Sequence, residues 1–196
     1  MNDILKNIYE RRAVRKYKNI SINREVIDQL IAAGTMAPSA MNRQPWKFYV
    51  LTDHEKIRAH SKEIAHVAMG EIKHISVKDA LKMSLSFFHL SAIKDFVATD
   101  DHVFYNAPVV IFITAPRADD WGALDVGMCA QNIMLAARSL GLETCPVGFA
   151  KFVMQTKSYH KLCIPDTEQV ELAIIAGHGA EQPKPHERVG GNVMYV

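Results

Sequence analysis

The groups best suited to bind a polar ligand lie in one turn, residues 37–50, with the sequence APSAMNRQPWKFYV. Between two apolar segments, the turn offers backbone N–H groups and the polar side chains of Ser39, Asn42 and Gln44. Such groups can bind a polar heteroaromatic ligand, while Trp46 anchors the turn where a strand begins. A well-capped connection between a helix and a strand would use the same residues. Chemistry alone leaves both interpretations open.

A basic cluster near the N-terminus is the strongest charge signal. Five cations fall within eight residues, at Arg11, Arg12, Arg15, Lys16 and Lys18. A solvated basic face, a nucleic-acid site and a phosphate held by paired arginines all fit this pattern. The mild net charge of +2 and the single nearby aromatic residue, Tyr17, favour one phosphate over nucleic acid. A second candidate anion clamp lies at residues 186–188.

The remaining residue patterns do not predict metal or thiol chemistry. The pairs Glu63/His66 and Glu71/His74 lie eight residues apart, which is about 12 Å along one helix. Di-iron sites draw such pairs from separate helices, so solvated helix faces explain them better. No spacing suits a tetrahedral metal ion, and we expect no metal. Cys145 has no histidine near it in the sequence, which predicts a buried thiol.

Length and composition fit one ordinary globular domain. The chain has 196 residues, of which 48% are hydrophobic and 22% charged, enough to bury a core. No apolar run approaches the roughly 20 residues of a membrane helix, and charges interrupt the N-terminus where a signal peptide would be apolar. Three cysteines without a CxxC motif cannot all pair. We therefore expect reduced thiols, a cytoplasmic location and no membrane partner.

Helices and strands alternate in the predicted order of elements. Apolar spacing and capping residues predict helices over residues 3–11, 24–35, 53–68, 78–96, 121–140 and 150–162. Apolar or alternating runs predict strands over residues 47–51, 109–114, 143–147 and 168–176. The tail, residues 177–196, contains Pro183 and Pro185 and should be extended. Its apolar end would be buried either on its own subunit or over a partner. This order predicts a layered domain of helices and strands, without linker or repeat.

Four segments, taken in order, resemble the FMN-dependent nitroreductase family. They are RRAVRKY, APSAMNRQPWKFYVL, DVGMCAQNIMLAARSLGLETCPVGF and ELAIIAGHGAEQPKPHERV. Residues 53–101 have no matching segment. The resemblance implies an α+β fold, a three-layer α/β/α sandwich around a mixed, mostly antiparallel sheet. It also implies that residues 1–196 form a single FMN-binding domain, which pairs into an intertwined homodimer with FMN at each subunit interface.

The resemblance assigns FMN-binding roles to individual residues. In the basic motif, Arg11 would meet the phosphate and Arg15 the pyrimidine edge near N1 and O2, flanked by Arg12 and Ala13. The turn would reach the flavin of the other subunit through Pro38, Ser39, Ala40, Asn42 and Gln44. A backbone N–H aimed at N5 would come from the stretch beside the ring, Pro146, Val147 and Gly148. The C-terminal phosphate clamp would consist of Arg188 and His186.

Three departures from the family pattern leave the substrate open. Ala13 stands where many members have serine, so only its backbone would contact the flavin. Val147 stands where some members have an acidic residue. Residues 177–185 read GHGAEQPKP where a GYP pattern is usual.

The implied activity is that of an NAD(P)H-dependent FMN oxidoreductase. Such an enzyme would reduce a small electrophile, a nitroaromatic or a quinone, by a ping-pong exchange. Solvent can supply the protons, so no catalytic side chain is assigned. One alternative is a specialised branch of the family, an oxidase, a dehalogenase or a flavin-consuming enzyme, whose substrate is recognised by residues 78–96. Another is a non-catalytic module that binds flavin or nucleic acid through the basic cluster.

Overall fold

A computed structural model describes residues 1–73 and 101–196, in which helices and strands alternate along the chain. The described α-helices are α1 (Asp3–Glu10), α2 (Arg24–Thr35), α3 (His54–Lys73) and α4 (Gly122–Ser139). The described strands are β1 (Lys47–Leu51), β2 (Val109–Pro116), β3 (Glu143–Val147) and β4 (Glu168–Gly177). Short 3₁₀ helices span Ala40–Asn42, Gly148–Gln155 and Tyr159–Leu162. None of the described helices is both long enough and apolar enough to cross a membrane.

The four strands form one sheet in the order β1-β2-β4-β3, and each neighbouring pair is antiparallel. At one end of the sheet Lys47 lies opposite Thr114, and at the other Val109 lies opposite Ala176. Ala13 pairs with Thr144 of β3 in a parallel orientation, as an isolated bridge rather than as part of a full strand. The two central strands are buried along nearly their whole length, because layers cover both faces of the sheet.

Helices α2 and α4 form the layer on one face. They share a core with apolar residues of β2 and β4, among them Ile111 and Ile174. A Cβ on Gly34 would lie 2.7 Å from Cγ1 of Ile133, so α2 approaches α4 closely at that point. On the other face, α3 and the 3₁₀ helices enclose a second core, in which Phe104 packs edge-on to Phe112 at 5.8 Å. These two layers confirm the predicted α+β sandwich.

Local capping signals fix the ends of several helices. The Asp53 carboxylate accepts hydrogen bonds from the backbone N–H groups of Glu55 and Lys56, at 2.9 and 3.1 Å, where α3 begins. The side chain of Asn2 accepts from Leu5 at 2.9 Å and caps α1. Gly141 follows α4 with φ 74°, as expected of a residue that ends a helix.

The helix predicted over residues 150–162 is wrong. The chain forms two 3₁₀ helices there, interrupted at Thr156, whose backbone is extended with ψ 153°. The Thr156 hydroxyl donates to the Val153 carbonyl at 2.7 Å, and the Ser158 N–H donates to Glu63 of α3 at 2.9 Å. Hydroxyl side chains and a tertiary partner therefore satisfy backbone groups that a continuous helix would need. The helix predicted over residues 78–96 lies outside the described residues.

The tail forms no helix, as predicted, but its apolar end is not buried on its own subunit. The cysteines agree with the prediction of free thiols. Residues 180–196 form neither helix nor strand, and the apolar residues at the end, Val193, Met194, Tyr195 and Val196, are exposed in the single chain. All three cysteines are free. Cys129 and Cys145 are buried, whereas Cys163 is exposed.

A buried carboxylate joins three strands at one end of the sheet. Glu168, only 4% exposed, accepts hydrogen bonds from Lys47 Nζ at 2.6 Å, Tyr49 Oη at 2.9 Å and Thr114 Oγ1 at 2.6 Å. Burial raises the pKa of Glu168, but these three donors outweigh it and hold the pKa below its usual value. Burial, together with the bond to Glu168, raises the pKa of Tyr49 to about 12.

We expect Glu168→Gln to lower the free energy of unfolding by about 1–3 kcal/mol at neutral pH, because Lys47, Tyr49 and Thr114 then lose their charged acceptor. The pKa is lower in the folded state, so the carboxylate stabilises the fold above the unfolded pKa of about 4.3, and this contribution is lost as the pH falls. Urea unfolding at neutral and acidic pH should therefore show the gap to wild type narrowing with acid. Glu55→Gln, on the exposed surface of α3, is the matched control. A gap independent of pH would contradict the argument.

Candidate flavin site

The basic segment, residues 11–18, follows α1 and lies along the edge of β3 that faces away from β4. The Val14 N–H donates to the Thr144 carbonyl at 3.0 Å. Arg138 of α4 holds the start of this segment close to β3, since its guanidinium binds Glu10 at 2.9 Å and Glu143 at 3.0 Å. The end of α1 and the start of β3 are thereby fastened to the same helix.

Residues after β4 hold the other side of the basic segment. The Lys18 N–H donates to the His178 carbonyl, and the Ala180 N–H donates to the Lys16 carbonyl, both at 2.8 Å. Glu181 accepts from the Arg15 N–H at 2.7 Å. A Cβ on Gly177 would lie 2.7 Å from the Tyr17 ring, so glycine permits this close approach. Within the GHGAEQPKP sequence, His178, Ala180 and Glu181 are thus hydrogen-bond partners of the basic segment.

Three guanidinium groups lie near one another at this edge. Arg11 and Arg12 are half-buried, and Arg11 Nη1 and Arg12 Nε are buried without a hydrogen-bond partner among the described residues. Burial lowers the pKa of Arg11, and the positive charges of Arg12 and Arg188 act in the same direction. Buried donors without acceptors are costly, and an anion bound here would satisfy them. His186 lies two residues before Arg188 in the exposed tail. The arrangement fits a phosphate group.

We expect inorganic phosphate to stabilise the flavin-free protein more than sodium chloride of equal ionic strength does. At about ten times its Kd, a ligand that binds only the folded state adds about 1.4 kcal/mol to the free energy of unfolding. Thermal unfolding in the two salts measures the difference. Arg11→Gln should remove most of it, whereas Lys18→Gln, which removes an exposed charge from the same segment, should retain it. Equal stabilisation of both variants would argue against a phosphate clamp.

Arg15 points to a different set of neighbours. Its guanidinium carbon lies 6.0 Å from the centroid of the Tyr105 ring. Burial opposes the charge of Arg15, yet the pKa of its guanidinium is raised, and the nearby Glu181 carboxylate is among the groups that favour the cation. Arg15 therefore remains a fixed cation at the edge of β3.

The stretch Pro146, Val147 and Gly148 lies at the end of β3. Val147 is buried, whereas Pro146 and Gly148 are exposed. Thr144, which pairs with Ala13, lies only two residues before Pro146, about 7 Å along the strand. The structure thus places the basic segment beside this stretch.

The turn that precedes β1 is a strained, exposed loop on a buried anchor. Trp46 is 6% exposed and belongs to the core beneath α2 and α4. Left-handed φ angles of 54°, 56° and 48° occur at Met41, Asn42 and Gln44. The Ser39 hydroxyl accepts from the Gln44 N–H at 2.9 Å. Pro38, Asn42 and Gln44 are exposed, and Ser39 and Ala40 are half-buried. Polar groups of the turn therefore face outward.

Within one chain, this turn and the basic segment lie far apart. The Ala40 N–H donates to both carboxylate oxygens of Asp125 at 3.2 Å, near the start of α4. Asn7 of α1 donates to the Leu135 carbonyl at 2.8 Å, ten residues further along α4, which is about 15 Å. The turn also enters β1, at the opposite edge of the sheet from β3. One chain does not bring the two groups of predicted residues together.

Asp125 and Tyr105 belong to this arrangement but were not predicted. Asp125 is buried and supports the turn through Ala40. Its place in the DVGMCAQN segment, at the start of a predicted helix, was the available signal. Tyr105 follows a stretch that matches no family motif, and nothing local in the sequence indicates its contact with Arg15.

Comparisons with known proteins agree with this fold. The nitroreductase family model matches residues 8–178. A 4-nitrobenzoate reductase of Pseudomonas putida is 30% identical over 194 residues, covering 89% of this chain and 84% of that protein. The FMN reductase [NAD(P)H] of Bacillus subtilis is 27% identical over 201 residues, covering 100% of this chain and 76% of its own. A nitroreductase structure with bound FMN from Desulfitobacterium hafniense superposes with a TM-score of 0.79 at 23% identity, covering 100% and 99% of the two chains. The chain therefore belongs to the nitroreductase family.

Proposed function

We propose that this chain is an FMN-dependent oxidoreductase that takes hydride from NAD(P)H and reduces a small electrophile, a nitroaromatic or a quinone, in ping-pong order. Family membership and the names of the relatives, nitroreductases and an FMN reductase [NAD(P)H], support this assignment. The observation that carries it is the cluster of guanidinium groups at Arg11, Arg12 and Arg188, which includes buried donors without a partner among the described residues.

Each part of the arrangement has a role in holding FMN. Arg11, Arg12 and Arg188 would bind the phosphate, with His186 beside them, and Arg15 would face the pyrimidine edge. Ala13 would contribute its backbone, and the exposed end of β3 would pass beside the ring. Bound FMN would supply the hydride exchange with nicotinamide and acceptor. The side chains bind and orient, and solvent supplies protons, so no general acid is required. We assign residues 1–196 to one FMN-binding domain.

A second copy of the chain would complete each site. The turn with Asn42 contacts α4 at Asp125, about 15 Å along the helix from Leu135, which contacts α1 just before the basic segment. A partner would therefore have to supply the turn. The single chain also exposes an apolar surface that a partner would cover. Helix α1 has no buried residue, and its apolar side chains Ile4, Leu5 and Ile8 face solvent, as do Trp121 and Leu124 at the start of α4. Such surfaces mark interfaces between subunits.

Spectroscopy and kinetics of the purified protein would test this proposal. We expect a yellow protein whose flavin absorbance bleaches under anaerobic conditions on addition of NADH or NADPH and returns with a nitroaromatic or quinone. Parallel lines in double-reciprocal plots would support the ping-pong order. A protein that takes up no FMN would overturn the proposal. Reduced protein that only dioxygen reoxidises would indicate a specialised oxidase instead.

A further inference from the structure

The turn that leads into β2 carries backbone strain. Tyr105 and Asn106 are consecutive residues with φ 54° and 55°, in the left-handed region that residues other than glycine rarely adopt. Asparagine tolerates this conformation, but an aromatic residue gains nothing locally from it. Strain of this kind persists only where the surroundings enforce it, and it is concentrated at functional sites.

Asp101 enforces the conformation from within the protein. Its carboxylate is 1% exposed and accepts hydrogen bonds from the N–H groups of Phe104 at 2.8 Å and Asn106 at 3.0 Å, and from the Ser61 hydroxyl of α3. Phe104 is itself fully buried against Phe112 of β2. The residues on both sides of Tyr105 are therefore fixed. The backbone position from which the Tyr105 side chain projects is fixed with them.

The strained residue is the one that contacts Arg15. The Tyr105 ring lies 6.0 Å from the guanidinium carbon, a distance at which cation–π attraction operates. The backbone of Arg15 is fixed separately, since its N–H donates to Glu181 at 2.7 Å. Tyr105 thus contacts the side chain of Arg15, which this backbone bond does not fix.

We propose that Tyr105 is a positioning residue that fixes the Arg15 guanidinium at the cofactor site, and that the strained turn serves to place it there. This inference rests on the proposed function, in which Arg15 faces the pyrimidine edge of FMN. A cation held in one place stabilises developing negative charge better than one that must reorganise. Tyr105 therefore sets how strongly the site prefers reduced over oxidised FMN, and it acts through Arg15.

A double-mutant cycle on the FMN-loaded protein tests the inference. We would measure the Kd of oxidised FMN and the midpoint potential in wild type, Tyr105→Leu, Tyr105→Phe, Arg15→Gln and the double variant Arg15→Gln/Tyr105→Leu. Tyr105→Leu should weaken the preference for reduced FMN about three- to tenfold, which lowers the potential by about 15–30 mV. Tyr105→Phe keeps the ring and loses the hydroxyl, so its shift should be smaller. The double variant should shift no further than Arg15→Gln.

Tyr49→Phe is the matched control, because it removes a tyrosine hydroxyl bound to Glu168 on another strand. Its potential should equal that of wild type. A Tyr105→Leu shift that persists undiminished without Arg15 would overturn the inference, as would unchanged potentials in both Tyr105 variants alongside a shift in Arg15→Gln. If Tyr105→Leu does not fold, Tyr105→Met, which also removes the ring, takes its place in the cycle. Failure of the wild-type protein to bind FMN would overturn the proposed function itself, which separates the two failures.

Discussion

Mixing two defective variants should restore FMN binding. Arg11→Ala/Arg15→Ala would damage the basic half of each site, and Asn42→Ala would damage the half contributed by the turn. The turn contacts α4 about 15 Å along the helix from the point where α1, which leads into the basic segment, contacts it. We therefore expect each site to take one half from each subunit. A heterodimer would then contain one intact site and one doubly damaged site. Equimolar mixing with free exchange should restore about a quarter of all sites.

Flavin retained after gel filtration, measured by absorbance, would report the result. Each variant alone, carried through the same mixing procedure, is the control. If mixed and unmixed samples retain equal flavin after subunit exchange has been demonstrated, the two halves do not come from different subunits. FMN binding by a protein that remains monomeric would contradict the shared site more directly.

Arg15→Gln should make bound FMN harder to reduce. Two-electron reduction concentrates negative charge at N1 and O2, so a guanidinium at that edge stabilises the reduced form more than the oxidised form. At about 4 Å and an effective dielectric constant near 20, the attraction is at most about 4 kcal/mol. Losing about 1–2 kcal/mol of it would lower the two-electron potential by about 20–45 mV. The variant should also bind FMN more weakly.

Arg188→Gln is the control for this measurement. Arg188 lies near Arg11, in the cluster that we assign to the phosphate, and a phosphate contact is remote from the flavin ring. Its loss should weaken FMN binding with little change in potential. Spectroelectrochemical titration of both variants separates the two roles. Equal potentials in wild type and Arg15→Gln would remove Arg15 from the pyrimidine edge.

Features determined by local sequence were predicted closely. Strands β1 and β3 have the predicted bounds, Lys47–Leu51 and Glu143–Val147. Helix α3 begins after Asp53 because that carboxylate caps the first turn, and α4 ends before Gly141, which adopts φ 74°. Capping and turn residues act on their immediate neighbours, so their effect can be predicted without knowledge of the tertiary structure.

Features determined by distant contacts were not predicted. Two 3₁₀ helices replace the expected helix near residue 156, where Ser158 bonds to Glu63, 95 residues away in the chain. Tyr105 adopts its strained conformation because Asp101 and Phe104 are fixed by other elements. The separation of the turn from the basic segment follows from the length of α4 and the order of the strands. None of these relations is present in a local pattern.

The distribution of the cysteines makes the chain convenient for fluorescence labelling. Cys129 and Cys145 are buried, whereas Cys163 is exposed at the end of the 3₁₀ helix Tyr159–Leu162. A maleimide dye should therefore react at Cys163 in the native protein, without mutagenesis. Subunits carrying a donor dye, mixed with subunits carrying an acceptor dye, would show energy transfer as mixed dimers form. The same sample would then give the rate at which the shared sites exchange their halves.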